Sequence, residues 1–250
     1  MKYKNYIFDL YGTLIDIHTD EEQPELWKFL AKYLSVNFGK EYEYRKLRND
    51  YLKICKVEEK QLAAKNGSKY PEIRIEWVFR QLIGSPCPED EMRRLCVAFR
   101  EQSRDKLVKY DGVSETLEAI KATGGRVFLL SNAQRSFTEK ELSDTGLTQY
   151  FDDIFISSDM GIKKPDGDFL SQLINKHGLK KEECVMIGNE VLSDIGVAST
   201  VGIDAIYLNT YSHTPEEISR DLKICNADLR KVTIVDDGDI MRVFAQPLDR

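Results

Sequence analysis

Unbroken apolar runs and amphipathic stretches follow one another along this chain, and the rhythm changes twice. The first run, Tyr6-Ile7-Phe8, leads into Asp9-Leu10-Tyr11-Gly12-Thr13-Leu14. A short apolar run that ends in turn-forming residues reads as a buried strand. From 21 to 107 the spacing becomes helical: Leu26, Phe29, Leu30, Tyr33 and Leu34, then Tyr44, Leu47, Tyr51, Leu52 and Cys55, recur three and four positions apart. Gly67-Ser68, Pro71, Gly84 and Pro86-Cys87-Pro88 divide this stretch into four or five helices. Beyond Asp111 helix and strand alternate. Strands are expected at 126–130, 154–156, 184–187, 206–208 and 232–235. Helices are expected at 114–122 with Ser114 as cap, then at 137–144, 168–177, 193–201 and 240–244.

Alternating strands and helices call for an α/β fold, a doubly wound parallel sheet with helices on both faces. Residues 1–16 and 109–250 would form that core, and 17–108 an inserted α-helical cap at the carboxyl edge of the sheet, where such folds bind ligands. Trp77 and Phe79 would belong to the interior of the helical insertion.

Charge narrows the partners. The 250 residues carry a formal net charge of -6, which argues against nucleic acid or an anionic membrane surface. A small anionic molecule remains compatible. The five cysteines form no CxxC pair, so reduced thiols are expected rather than zinc ligands or a disulfide framework. No apolar stretch approaches the ~18 residues that a membrane span needs. The amino terminus runs directly into the first strand, which places the protein in the cytoplasm as an expectation. Oligomeric state is not legible.

Polar residues stand where the apolar runs stop. Asp9 lies at the end of the first run, where burying a carboxylate costs several kcal/mol unless it has a partner or a task. Gly12 permits a sharp turn and Thr13 adds a hydroxyl beside it. Ser131-Asn132-Ala133 follows the second run. Lys163-Lys164-Pro165-Asp166 and Gly188-Asn189-Glu190, with Asp194 further on, close the others. Each has an ordinary alternative: Ser131-Asn132 as a helix cap, the lysines as solvated charge, Glu190 and Asp194 as acids in a first helical turn. If the strands are parallel, all of these groups meet around Asp9.

The series F-D-x-x-G-T-L, hydrophobic-S-N, K-P-D and hydrophobic-G-x-x-x-x-x-D resembles the haloacid dehalogenase (HAD) superfamily, and the helical insertion is similar to that superfamily's first cap type. The resemblance implies Asp9 as a nucleophile that forms a covalent aspartyl intermediate, later hydrolysed by water. It implies Thr13, Ser131 and Asn132 as positioning and substrate-binding groups, and Lys164 as the charge partner of Asp9. Asp9, Tyr11, Asn189, Glu190 and Asp194 would supply a magnesium site if the chain follows the phosphatases.

Two departures pull in opposite directions. Phosphatases of this superfamily carry a second aspartate two positions after the nucleophile, as acid to the leaving alkoxide and base to water. Here Tyr11 stands there, and a phenol of ordinary pKa ~10 is a poor base at neutral pH. A halide needs no proton, so Tyr11 favours the dehalogenase branch and a small 2-haloacid substrate. The loop 188–194 keeps two carboxylates, which favours a magnesium-dependent phosphatase of a small phosphomonoester. A ligand- or partner-binding protein without turnover is the third reading. Dehalogenases of this kind place an arginine in the early cap; Arg45 and Arg48 are the candidates by position. His18, His177 and His213 fall in no motif.

Overall fold

The structure, a computed structural model, describes residues 2–245. The first strand, β1 (Asn5–Phe8), is buried along its whole length. Tyr6 and Phe8 point into one apolar cluster and Ile7 into the other. Both faces of the strand are therefore covered, which explains an apolar run without polar alternation.

After β1 the chain forms β2 (Ile15–Thr19), then four helices, α1 (Pro24–Phe38), α2 (Tyr44–Asn66), α3 (Ile75–Ile83) and α4 (Glu89–Ser103), and returns through β3 (Arg104–Lys109). β2 and β3 pair antiparallel as a ribbon of their own. This corrects the all-helical expectation for residues 17–108. The insertion rises on two paired strands, and Ile15 and Ile17 alternate with Asp16 and His18 in the period-2 pattern that marks them.

The helices share a hydrophobic cluster built on Trp27, Tyr51, Phe79 and Phe99. Trp27 meets Tyr51 edge-on at 5.1 Å and Phe79 meets Phe99 at 5.3 Å between ring centroids. Phe79 is fully buried as expected, whereas Trp77 is 57% exposed and lies outside that interior.

The rest of the chain supplies α5 (Val113–Ala122), β4 (Arg126–Ser131), α6 (Arg135–Asp144), β5 (Asp153–Ile156), α7 (Ser157–Met160), α8 (Gly167–Lys176), β6 (Cys184–Gly188), α9 (Gly196–Val201), β7 (Asp204–Leu208), α10 (Pro215–Ile224), β8 (Val232–Val235) and α11 (Arg242–Ala245). The six-stranded sheet has the order β5-β4-β1-β6-β7-β8, every pair parallel. β1 thus sits between β4 and β6, and the loops after all three open at one edge.

Local details differ from the sequence expectation. Gly112 precedes α5 as its cap, and Ser114 lies inside the helix, where its hydroxyl accepts from Lys109 Nζ at 2.6 Å. The expected helix at 193–201 begins with a wider turn, Val191–Ile195, before α9. α10 was not anticipated, although Thr214 and Glu217 form a complete capping box at its start. The five cysteines are free thiols. Among the described residues no helix is long and apolar enough to cross a membrane.

Candidate active site

Asp9 follows β1 directly, its amide donating to the Ile187 carbonyl of β6 at 2.9 Å. The chain then folds back on itself: the amides of Leu14 and Ile15 both donate to Leu10 O. Gly12 makes this turn with φ 79°, and a Cβ there would lie 2.1 Å from Asn189 Nδ2 and 2.6 Å from the Tyr211 hydroxyl. Only glycine lets the loop settle so close to those groups. The turn brings Thr13 Oγ1 to 3.2 Å from Asn189 Oδ1 and 3.4 Å from Asp9 Oδ2.

The loop between α7 and α8 delivers Lys164, which is 3% exposed. Its ammonium donates to Asp9 Oδ1 at 2.6 Å and to Asp194 Oδ1 at 2.7 Å. Asn132, just past β4, splints this loop: its Oδ1 accepts from the Lys164 amide at 2.8 Å and its Nδ2 donates to the Lys164 carbonyl at 3.1 Å. Asn132 is therefore no helix cap; Gln134 takes the cap position of α6. Ser131 ends β4 fully buried, and its hydroxyl has no hydrogen-bond partner among the described residues. An idle buried hydroxyl costs about 1–3 kcal/mol, and Ser131 lines neither of the hollows at this edge of the sheet.

The loop after β6 folds Asp194 back across the strand end. A Cβ on Gly188 would lie 2.2 Å from Asp194 Oδ2, so the strand must finish on glycine. That oxygen accepts from the Glu190 amide at 2.9 Å, while Glu190 Oε2 accepts from Ser193 Oγ at 3.0 Å. A cavity of about 330 Å3 opens over these groups, lined by Asp9, Asn132, Lys164, Asn189 and Glu190 among others. That volume is at the small end of ligand sites. A hollow of about 820 Å3 shares Asn132, Lys164 and Glu190 with it and reaches under residues 66–70 of the helical insertion.

Burial pushes the Asp9 carboxyl up to about 6; Lys164 pulls the other way and the Asp194 charge adds to the rise. Burial alone would lower Lys164, but Asp194 and Asp9 outweigh it and leave its ammonium raised. A protonated Lys164 between two carboxylates is the consistent state.

Magnesium asks for hard oxygen donors, with one or two carboxylates often enough beside water. Asp9 and Asp194 converge closely enough to share one ammonium, and their paired charge fits such a cation. Asn189 and Glu190 line the cavity with Asp9, whereas Asp194 is buried and does not line it. Among the described residues no group of three or more His, Cys, Asp or Glu side chains gathers as a ready metal cage, so any ion here would rest on these two acids.

Three expectations fail on geometry. The Tyr11 hydroxyl points away from the aspartates, donating to Glu141 Oε2 at 2.5 Å with Thr138 Oγ1 at 3.0 Å. Burial, then the Glu141 charge, holds the phenol far above its ordinary range, so this hydroxyl is neither base nor metal ligand. Tyr11 lines the cavity, but its hydroxyl is tied to Glu141 and Thr138. Arg45 is exposed on α2 and lies over the Tyr44 ring, and Arg48 pairs with Glu22. Neither lines the cavity over Asp9.

Several groups escaped the sequence reading. Glu141, on α6, is fully buried and receives Arg100 Nε at 2.7 Å and Arg104 Nη1 at 3.0 Å. An acid inside a charged amphipathic stretch gives no sign of burial. Tyr211 and His213, from the loop after β7, line the cavity with Asp9. No local motif marked either.

Residues 3–202 match the family model of haloacid dehalogenase-like hydrolases. The chain is 29% identical to a phosphoserine phosphatase of Thermus thermophilus over 64% of each chain, just under two thirds of that relative's length. It is 24% identical to (S)-2-haloacid dehalogenase 4A of Burkholderia cepacia over 84% of each. The crystal structure of a 2-haloacid dehalogenase from Pseudomonas syringae superposes with a TM-score of 0.61 at 18% identity, covering 97% of both chains, and shows the same fold. With four loops converging on one aspartate and a family match over most of its length, the chain belongs to the haloacid dehalogenase-like hydrolases.

Proposed function

We propose that this hydrolase acts on a small anionic substrate through a covalent ester on Asp9, and that its leaving group departs without a proton, as halide leaves a 2-haloacid. Asp9 Oδ2, the oxygen that Lys164 does not hold, attacks the halogen-bearing carbon. The C–X bond breaks as the new C–O bond forms, and the halide carries away the electron pair. Lys164 balances the carboxylate before attack and the substrate's own carboxylate afterwards. Ser131 Oγ and the Thr13 hydroxyl position the substrate, and Asn132 acts by fixing the Lys164 loop. The helical insertion, whose residues 66–70 line the adjoining hollow, would cap this edge of the sheet and limit water.

The observation that carries this reading is the direction of Tyr11. Two positions after the nucleophile there is neither a carboxylate nor a free phenol, so nothing there protonates a basic alkoxide. A second reading, hydrolysis of a phosphomonoester, is favoured by the Asp9–Asp194 pair. Magnesium, if held there, would neutralise the carboxylates and the incoming phosphate.

The test is a panel of 2-haloacids and phosphomonoesters, with and without EDTA, on the wild type and Asp9→Asn. Turnover of 2-chloropropionate that survives EDTA and vanishes in Asp9→Asn is expected. Turnover of p-nitrophenyl phosphate alone, abolished by EDTA, replaces the first reading with the second. Binding without turnover or any mass adduct on Asp9 leaves the chain as a ligand-binding member of its family.

A further inference from the structure

Lys164 is the charge partner of Asp9, and both stretches of chain that seat it meet one acid of the helical insertion, Glu72. We propose that Glu72 is a positioning residue for Lys164, so that the insertion sets the charge beside the nucleophile. This role rests on the covalent reading above only for what Lys164 does there; how firmly Lys164 is seated can be measured without substrate.

The loop between α2 and α3 runs alongside the segment that leads to Lys164. The Lys163 amide donates to the Tyr70 carbonyl at 3.0 Å, and the Glu72 amide to the Gly161 carbonyl at 3.1 Å. Between them Pro71 and Ile162 form an antiparallel bridge. Asn66 Nδ2 also donates to the Gly161 carbonyl, at 3.2 Å, and Ser68 Oγ donates to Asp166 Oδ2. The insertion therefore holds the chain on both sides of Lys164.

Glu72 gathers these contacts. Its side chain is 13% exposed, and a carboxylate so far from water needs donors. Three converge on it. Ser157 Oγ donates to Oε2 at 3.0 Å, Gln134 Nε2 donates to Oε1 at 3.1 Å, and the Lys163 ammonium stands 4.0 Å from Oε2. Ser157 Oγ in turn accepts from the Ala133 amide at 2.8 Å. Ala133 follows Asn132, whose side chain grips the Lys164 amide and carbonyl. Gln134 doubles the tie, its Nε2 donating to the Ile73 carbonyl and its Oε1 accepting from the Ile75 amide. One carboxylate thus joins the insertion to residues 132–134 on one side and 161–164 on the other, and Lys164 is fixed between the two.

Glu72 lines neither of the hollows at this edge of the sheet, so it acts through Lys164 and not on the substrate. The ammonium must satisfy two carboxylates at 2.6 and 2.7 Å, which leaves little slack. Loosening the loop lengthens those contacts, and Asp9 loses the charge that balances it.

The test begins without substrate. The full chain as wild type, Glu72→Gln and Glu72→Ala is pulsed with acetic anhydride. Acetylation of Lys164 is read by mass spectrometry against exposed Lys46 and against Lys109, which is bound to Ser114 on the stem. Losing a hydrogen bond to a charged group shifts a local opening equilibrium ~tenfold or more. Lys164 acetylation should therefore rise at least ~tenfold in Glu72→Ala, and less in Glu72→Gln, which keeps an acceptor for Gln134. Lys109 should not change. With whichever probe the wild type turns over, 2-chloropropionate or p-nitrophenyl phosphate, kcat should fall ~tenfold or more in Glu72→Ala while KM stays within ~threefold. Lys164 acetylation or kcat within ~threefold of wild type in both variants overturns the proposal. An equal rise at Lys109 in Glu72→Gln also overturns it, because that marks general loosening. Wild type that turns over neither probe removes the covalent reading alone, since acetylation still decides whether Glu72 seats Lys164.

Discussion

Two buried charge clusters lie on opposite sides of Tyr11, and they are built to opposite formulas. At the sheet edge two carboxylates, Asp9 and Asp194, share one ammonium, Lys164. At the stem of the helical insertion two guanidiniums, Arg100 and Arg104, share one carboxylate, Glu141. The first cluster is short of positive charge and the carboxyl of Asp9 is driven upward. The second has positive charge to spare, and every oxygen of Glu141 is engaged, one by the arginines and one by Tyr11. Burial is similar in both. What differs is whether a newcomer is wanted: the sheet-edge cluster gains from an incoming cation, the stem cluster is complete.

Lys164→Met should break that contrast most severely. It strands two buried acids, so stability should fall by about 3–5 kcal/mol and turnover by ~10³-fold or more. Urea unfolding would show the stability loss shrinking toward pH 5, because Asp9 can then take a proton. An equal loss at pH 5 and pH 8 would mean the acids are not crowded as described.

Glu141→Ala comes next. Removing the shared carboxylate should cost about 3 kcal/mol, with turnover per folded molecule reduced less than ~tenfold, since Glu141 does not touch Asp9. A loss of activity as large as that of Lys164→Met would join the two clusters into one functional unit.

The pH dependence is the third measure. Asp9 must be ionised to attack, and its carboxyl is raised to about 6, so the rate of adduct formation should fall as pH drops through about 6. The sign for stability is the reverse. The native state holds that proton more tightly than the unfolded chain, so stability is lost as pH rises through about 6. A rate limb near pH 4 would show that burial does not raise this acid.

Tyr11→Phe should have the smallest effect. It removes one hydrogen bond to Glu141, at about 1–2 kcal/mol, and should leave turnover within ~threefold. A loss of ~100-fold or more would return acid–base work to Tyr11.

Much of the site was legible because it is local. Asp9 ends an apolar run, Lys164 and Asp194 lie in the segments that follow two others, and parallel strands gather such segments at one edge. The magnesium-site expectation fails for the Tyr11 hydroxyl, while Asp9 and Asp194 lie close enough to share one ammonium. Tyr11 itself was identified as a departure, but the direction of its hydroxyl depends on Glu141, 130 positions away. Arg45 and Arg48 looked suitable by order along the chain, yet that order does not say which side of α2 faces the sheet. The charged segment Arg104–Lys109 continues the composition of α4 and so hid a strand. Only pairing with residues 15–19 makes it one.

That pairing has a further consequence. Because the outgoing and returning strands run side by side, the excursion starts and finishes at one doorway. Helices could be added, shortened or exchanged beyond it while the order of the six-stranded sheet, and the floor beneath Asp9, stayed as they are. The ribbon leaves the order of strands at the charged sheet edge independent of whatever the excursion carries.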